Sequence, residues 1–199
     1  VHASAAFFTA LVLVLSTHFL FEFRLAVPDP YLIFFSTIGL FAGFAYLQEK
    51  KWWWLLLAAL SLALATLAKG PVAVGLPGIC LLLFVVVRRH WWVFTDVRIL
   101  LAALVYALVA VPWFWAVHQA TAGAYTEGFF FEHNLQRFSS EMEGHGGPFF
   151  ITILIVLIGL LPFSTNVVQV VKRCFRFSLP PLVLFGAIVS VVYVVFFCF

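Results

Sequence analysis

The sequence predicts an all-α fold, a polytopic bundle of about seven transmembrane helices, and three observations carry that prediction. Hydrophobic residues make up 65% of the 199 positions and charged residues only 10%, with a mean hydropathy of +1.13, far from the balance of a water-soluble domain. The apolar residues fall in runs long enough to cross a hydrocarbon layer of about 30 Å as helix. The basic residues alternate from one inter-run segment to the next, as orientation in a bilayer demands.

Taken in order, the predicted spans are Ala3–Phe21, Tyr31–Leu47, Trp52–Ala68, Val72–Val87, Ile99–Val117, Phe149–Val167 and Leu179–Phe199. The third and fourth are short, and the fourth carries Pro77, which bears on its depth and straightness. The first has neither a charged leader nor a small-residue cleavage site, so it reads as a span rather than a signal peptide. One set of connections holds Lys50, Lys51, Arg88, Arg89, Arg98, Lys172, Arg173 and Arg176, whereas the other holds only Arg24, Lys69 and Arg137. That bias places the first set in the cytoplasm and turns the segments around Arg24–Pro30, Lys69–Pro71 and His118–Pro148 outward. Tryptophans at 52–54, 91–92, 113 and 115 lie at run ends, where an interfacial belt is expected. The net charge of +3 therefore reports orientation, and no nucleic-acid partner is expected. Cys80, Cys174 and Cys198 have no paired spacing and suggest neither a disulfide framework nor a zinc site. The chain opens on Val1 and its last run stops in mid-span, so a fragment with a single transmembrane domain over residues 1–199 is expected.

The outward polar residues are the candidates for chemistry. His18 and Glu22 share a helix face near the end of the first span, followed by Arg24 and Asp29; ionisable groups at that depth face a cavity or a partner, or pair with one another. Ala68-Lys69-Gly70-Pro71 has the make-up of a tight helix-to-helix turn, in which Lys69 either serves the helix dipole or holds a lipid phosphate. Residues 118–148 form the one long polar interruption, with four of the eight carboxylates and three of the six histidines. Within it Phe131, Leu135 and Phe138 recur at helical spacing while Asn134, Arg137 and Glu141 fall on another face, predicting an interfacial amphipathic helix or, alternatively, a solvated loop helix anchored by Phe129–Phe131. His133 and Arg137 stand one turn apart, suited to an anion. Glu132, His133 and His145 are of ligand type for a divalent metal, but their spacing matches no specific signature, so a metal stays an alternative and no other cofactor is expected. Gly146 and Gly147 precede the sixth span, whose exposed N-terminal amides suit a phosphate. Lys69, Arg137 and that terminus together point to a lipid-linked phosphate.

Five blocks then carry a family resemblance: Arg24-Leu25-Ala26-Val27-Pro28-Asp29, Leu67-Ala68-Lys69-Gly70-Pro71, Val111-Pro112-Trp113-Phe114, Phe131-Glu132-His133-Asn134-Leu135-Gln136-Arg137-Phe138 and Glu143-Gly144-His145-Gly146-Gly147-Pro148-Phe149. Their order and spacing resemble the membrane region of the dolichyl-phosphate-mannose protein mannosyltransferase superfamily, in its bacterial branch that includes the 4-amino-arabinose lipid A transferases. The resemblance implies a GT-C glycosyltransferase of the inner membrane. Such an enzyme transfers a sugar with inversion from a polyprenyl-phosphate donor to a lipid, protein or glycan acceptor on the extracytoplasmic face. It further implies that Lys69, Arg137, Gly146 and Gly147 bind the donor phosphate and that Arg24, Glu132, His133, Asn134 and His145 shape the donor pocket. Asp29 would contact the acceptor or sugar and assist the base. The family's early acidic loop has no counterpart in the chain. Two other readings stay open: a polytopic transporter of lipid or solute, and a non-catalytic assembly subunit.

Overall fold

A computed structural model describes residues 3–128, 150–165, 167, 172 and 179–198. In chain order its helices are α1 (Ala3–Leu15), α2 (Thr17–Glu22), α3 (Asp29–Glu49), α4 (Trp52–Lys69), α5 (Val72–Arg88), α6 (Val97–Ala120), α7 (Ala124–Glu127), α8 (Phe150–Gly159) and α9 (Pro181–Cys198), with a 3-10 helix at Trp91–Thr95 before α6. No strand occurs among the described residues, in keeping with a lipid environment where backbone polar groups must find partners within their own segment. The chain divides into two compact units, one of Tyr31–Gly146 and one of Val1–Pro30 with Gly147–Phe199.

In the unit from Tyr31, α3 and α4 form an antiparallel hairpin turned by Lys50 and Lys51. Lys50 takes a left-handed conformation with φ 56° and returns its N–H to the Tyr46 carbonyl at 2.8 Å. Small residues let these helices approach: a Cβ on Gly39 would lie 2.6 Å from Leu62 Cγ, and one on Gly43 2.6 Å from Leu81 Cδ1 on α5. Apolar helices in lipid gain little from hydrophobic burial against each other, so close backbone packing of this kind is what holds them. The α4 face of Ala58, Ala59, Ser61, Leu62, Ala63, Ala65 and Thr66 is buried, and α4 packs chiefly along α6, where Thr66 Oγ1 and Tyr106 OH share a hydrogen bond of 3.0 Å. The other side of α6 presents Leu100, Leu104, Leu108, Val111 and Trp115, all exposed at helical spacing, which is the pattern of a lipid-facing stripe.

In the other unit the predicted first span is interrupted. Ser16 leaves the helix in an extended conformation with φ −70° and ψ 135°, separating α1 from α2. The break is satisfied locally and at long range: Ser16 Oγ donates to the Leu13 carbonyl at 2.7 Å, and Thr17 donates both its N–H and its hydroxyl to the Leu161 carbonyl at 3.2 Å. His18 lies against α8, with its Cβ 2.9 Å from a Cβ built on Gly159. The Thr152 hydroxyl of α8 reaches the Phe197 carbonyl of α9 at 3.2 Å.

The predicted spans thus differ from the helices in two places. The first is split at Ser16, and the sixth is helical over Phe150–Gly159 and then interrupted by a turn around Pro162, where proline disfavours helix for the residue ahead of it, before helix resumes at Thr165 and Val167. Among the described residues α3, α4 and α6 are long and apolar enough to cross a membrane, while α1, α5 and α9 are shorter apolar helices.

Candidate functional site

α4 runs from the Lys50-Lys51 turn to Lys69. Lys69 is the last residue of α4 and is exposed. The chain then turns at Gly70, whose φ of 92° is open to glycine and strained for other residues, and whose N–H closes on the Thr66 carbonyl at 2.7 Å. Pro71 follows just ahead of the first residue of α5. The lysine–glycine–proline block is therefore the turn the sequence predicted, with the ammonium at the carbonyl-rich helix end that favours a cation.

Asp29 is the first residue of α3, half-buried at an N-terminus that favours an anion. Arg24 is exposed in the bend between α2 and α3. Glu22 meets His18 on the same face of α2, Oε1 to Nε2 at 3.8 Å, as their spacing predicted. The polar stretch 118–148 begins differently from a plain loop: α6 continues through His118 to Ala120, and the chain reverses at Gly123 with φ 89°. A side chain there would meet His118, whose Cε1 lies 3.3 Å from the Cβ position, and the reversal sets Tyr125 edge-on against Trp113 at 5.8 Å.

Arg137, Gly146, Gly147, Glu132, His133, Asn134 and His145, together with the amphipathic helix predicted around them, lie outside the described residues. Of the proposed phosphate-binding set, only Lys69 is described. Among the described residues no group of three His, Cys, Asp or Glu side chains is arranged to hold a metal.

The opposite end of the same unit holds a network that sequence reasoning missed. The Tyr46 hydroxyl of α3 donates to Asp96, which caps α6 by accepting the Arg98 N–H at 3.0 Å. The Arg98 guanidinium grips the same carboxylate through Nε at 2.8 Å and Nη2 at 2.7 Å, and through Nη1 it reaches the Lys50 carbonyl at 3.0 Å. Lys50 Nζ stands over the Trp92 ring at 4.5 Å, and Glu49 accepts from Lys51 at 2.9 Å and from the Trp54 indole at 3.2 Å. The Arg98 donors, and then the Tyr46 hydroxyl, hold the Asp96 carboxyl well below the usual carboxylate range. His90 packs edge-on to Phe84 at 6.0 Å, and its Nδ1 is shielded without a hydrogen-bond partner among the described residues. Burial, then the charges of Arg88 and Lys50, push the imidazole below its ordinary value. The sequence did contain one signal: an aspartate directly before an apolar run is a helix N-cap, whereas Arg98 was read only as a marker of orientation.

Fold and polar groups together define an all-helical integral membrane protein whose charged side chains collect at its helix ends. Residues 1–126 match the dolichyl-phosphate-mannose-protein mannosyltransferase family, and the chain belongs to that family. Similar curated proteins include the undecaprenyl phosphate-alpha-4-amino-4-deoxy-L-arabinose arabinosyl transferase of Edwardsiella ictaluri, 32% identical over 110 residues, which covers 54% of this chain and 19% of that protein. Arabinosyl transferase 2 of Proteus mirabilis is 31% identical over 144 residues, or 69% of this chain and 25% of that protein. Among solved structures, ArnT from Cupriavidus metallidurans bound to undecaprenyl phosphate superimposes with a TM-score of 0.83 at 23% identity, over 96% of this chain and 35% of that one. The fold is thus shared almost throughout, while the chain spans about a fifth to a quarter of the length of these two curated relatives.

Proposed function

We propose that this chain is part of the membrane region of an inverting glycosyltransferase that takes a sugar from a polyprenyl-phosphate donor. The observation that carries the reading is family membership over a stretch that includes Arg24, Asp29 and Lys69. The names of the curated relatives suggest an undecaprenyl-phosphate-linked amino-arabinose as the donor, and lipid A is the acceptor implied by the resemblance, with protein or another glycan as alternatives. The charge bias supports an active face on the extracytoplasmic side of the bacterial inner membrane, with the Lys50/Arg88/Arg98 end in the cytoplasm.

In the transfer an acceptor oxygen bonds to the anomeric carbon as its bond to the phosphate oxygen breaks, and the acceptor proton passes to a carboxylate base. Negative charge builds on the departing polyprenyl phosphate, where fixed cations and amides act most strongly. Lys69 is assigned to that charge, with Arg137 and the amides after Gly146 and Gly147. Asp29 contacts the acceptor or sugar and assists the base, and Arg24, Glu132, His133, Asn134 and His145 shape the donor pocket. A metal on Glu132, His133 and His145 is the alternative use of those three residues. Concentration of charged groups at helix ends favours interfacial chemistry over the mid-membrane sites of a transporter.

The test uses the full-length native polypeptide. Lys69→Ala is expected to lower sugar transfer from a polyprenyl-phosphate donor about 100-fold while leaving the amount of protein in the membrane unchanged. Transfer at the wild-type rate removes Lys69 from the phosphate site.

A further inference from the structure

The connection between α5 and α6 has a chemistry that sugar transfer does not use. Arg88 closes α5, and Arg89 follows in a left-handed conformation with φ 56°. The His90 N–H returns to the Val85 carbonyl at 2.9 Å, which makes this a Schellman-type end with arginine at the position where glycine is usual. Both arginines are exposed. The 3-10 helix that follows is two-sided. Trp92 turns inward, 5.5 Å from the Tyr46 ring, whereas Trp91 and Phe94 face outward, 52% and 63% exposed, and stack with their centroids 6.2 Å apart. Directly beyond them Val97, Leu100 and Leu101 begin the exposed stripe of α6.

The nearby carboxylates are already committed: Asp96 to Arg98 at 2.7 Å and Glu49 to Lys51 at 2.9 Å. Among the described residues no ion pair involves Arg88 or Arg89. Two exposed guanidiniums, two exposed rings and an exposed aliphatic stripe therefore follow one another at the start of a membrane-spanning helix. We infer that this connection binds a phospholipid with an anionic headgroup, the arginines holding its phosphate, Trp91 and Phe94 lying at the glycerol level and the α6 stripe meeting the acyl chains. The excess of cations at this end is what selects an anionic lipid over a zwitterionic one.

The experiment places the full-length protein in nanodiscs of phosphatidylcholine with about one-fifth phosphatidylglycerol and reads retained lipid by native mass spectrometry, with each basic residue expected to contribute roughly fivefold in affinity. The double variant R88Q/R89Q is expected to lose about 25-fold in phosphatidylglycerol enrichment, while R88K/R89K keeps most of it and shows that folding is intact. W91A/F94A is expected to lower retention of both lipids alike. Undiminished enrichment in R88Q/R89Q overturns the site. So does loss of the bound lipid to millimolar inorganic phosphate, which identifies a soluble anion as the occupant, or cross-linking of Arg89→Cys to a second copy or to a soluble protein in place of lipid.

Discussion

The two ends of the Tyr31–Gly146 unit close their turns in different ways. At the end built from Tyr46, Lys50, Asp96 and Arg98, charges are spent on one another: a single carboxylate takes four donors, and the arginine that holds it also ties down the turn between α3 and α4. At the end carrying Lys69, the turns rest on backbone geometry instead, through Gly70 and Gly123 at positive φ, and the lysine stays exposed. A cation whose guanidinium ties a turn to a helix cap stabilises the bundle, whereas Lys69 stands exposed at a helix end that a glycine turn closes. The same residue types thus do different work according to what closes the turn beside them.

That contrast is sharpest in a pair of substitutions. Lys69→Ala is expected to produce the largest change, about 100-fold in sugar transfer, with the protein still folded in detergent. Arg98→Ala should do the reverse, lowering the unfolding midpoint in detergent by leaving the Asp96 carboxylate, only 8% exposed, without its charge-assisted bonds, while transfer per folded molecule stays near wild type. If Lys69→Ala unfolds the protein and Arg98→Ala abolishes transfer, the division between the ends is wrong.

Smaller effects refine the comparison. Gly123→Ala is expected to cost about 1 kcal/mol because its φ of 89° is strained for alanine, and chemical denaturation of the purified protein measures it. Titration separates two groups at the charged end. His90 is held below its ordinary value, so the unfolded chain binds the proton more readily. Stability then begins to fall as pH drops through about 6.5 and levels off below the folded-state value. Asp96 is also lowered, so its contribution is complete above about pH 4 and is lost only as pH falls further toward its folded-state value. His90→Phe should remove the first step in thermal unfolding and leave the second, a small effect visible only against the unsubstituted protein.

Helices α3 to α6 were legible from the sequence because their runs end at strong local punctuation: Lys50-Lys51, Lys69-Gly70-Pro71 and Arg88-Arg89. Their observed ends fall within three residues of the predicted ones. Lys69 was legible as a candidate for the same reason. The Asp96 cap was readable in principle. Tyr46 was not, since a tyrosine near the end of an apolar run says nothing about an aspartate 50 residues later. The break at Ser16 was equally hidden, because the carbonyl that receives Thr17 belongs to Leu161, 144 positions away.

The sequence by itself determined that this is a helical membrane protein, where its central helices begin and end, and to which family its blocks belong. A chain this apolar must satisfy its backbone within helices, and run length and flanking charge are local properties. Only the tertiary structure decided which charges are committed to packing and which stay exposed, and where an apolar run breaks. Those outcomes depend on hydrogen-bond partners brought together from distant parts of the chain, and a polar group in a lipid-facing protein takes the nearest partner in space, whatever its distance in sequence.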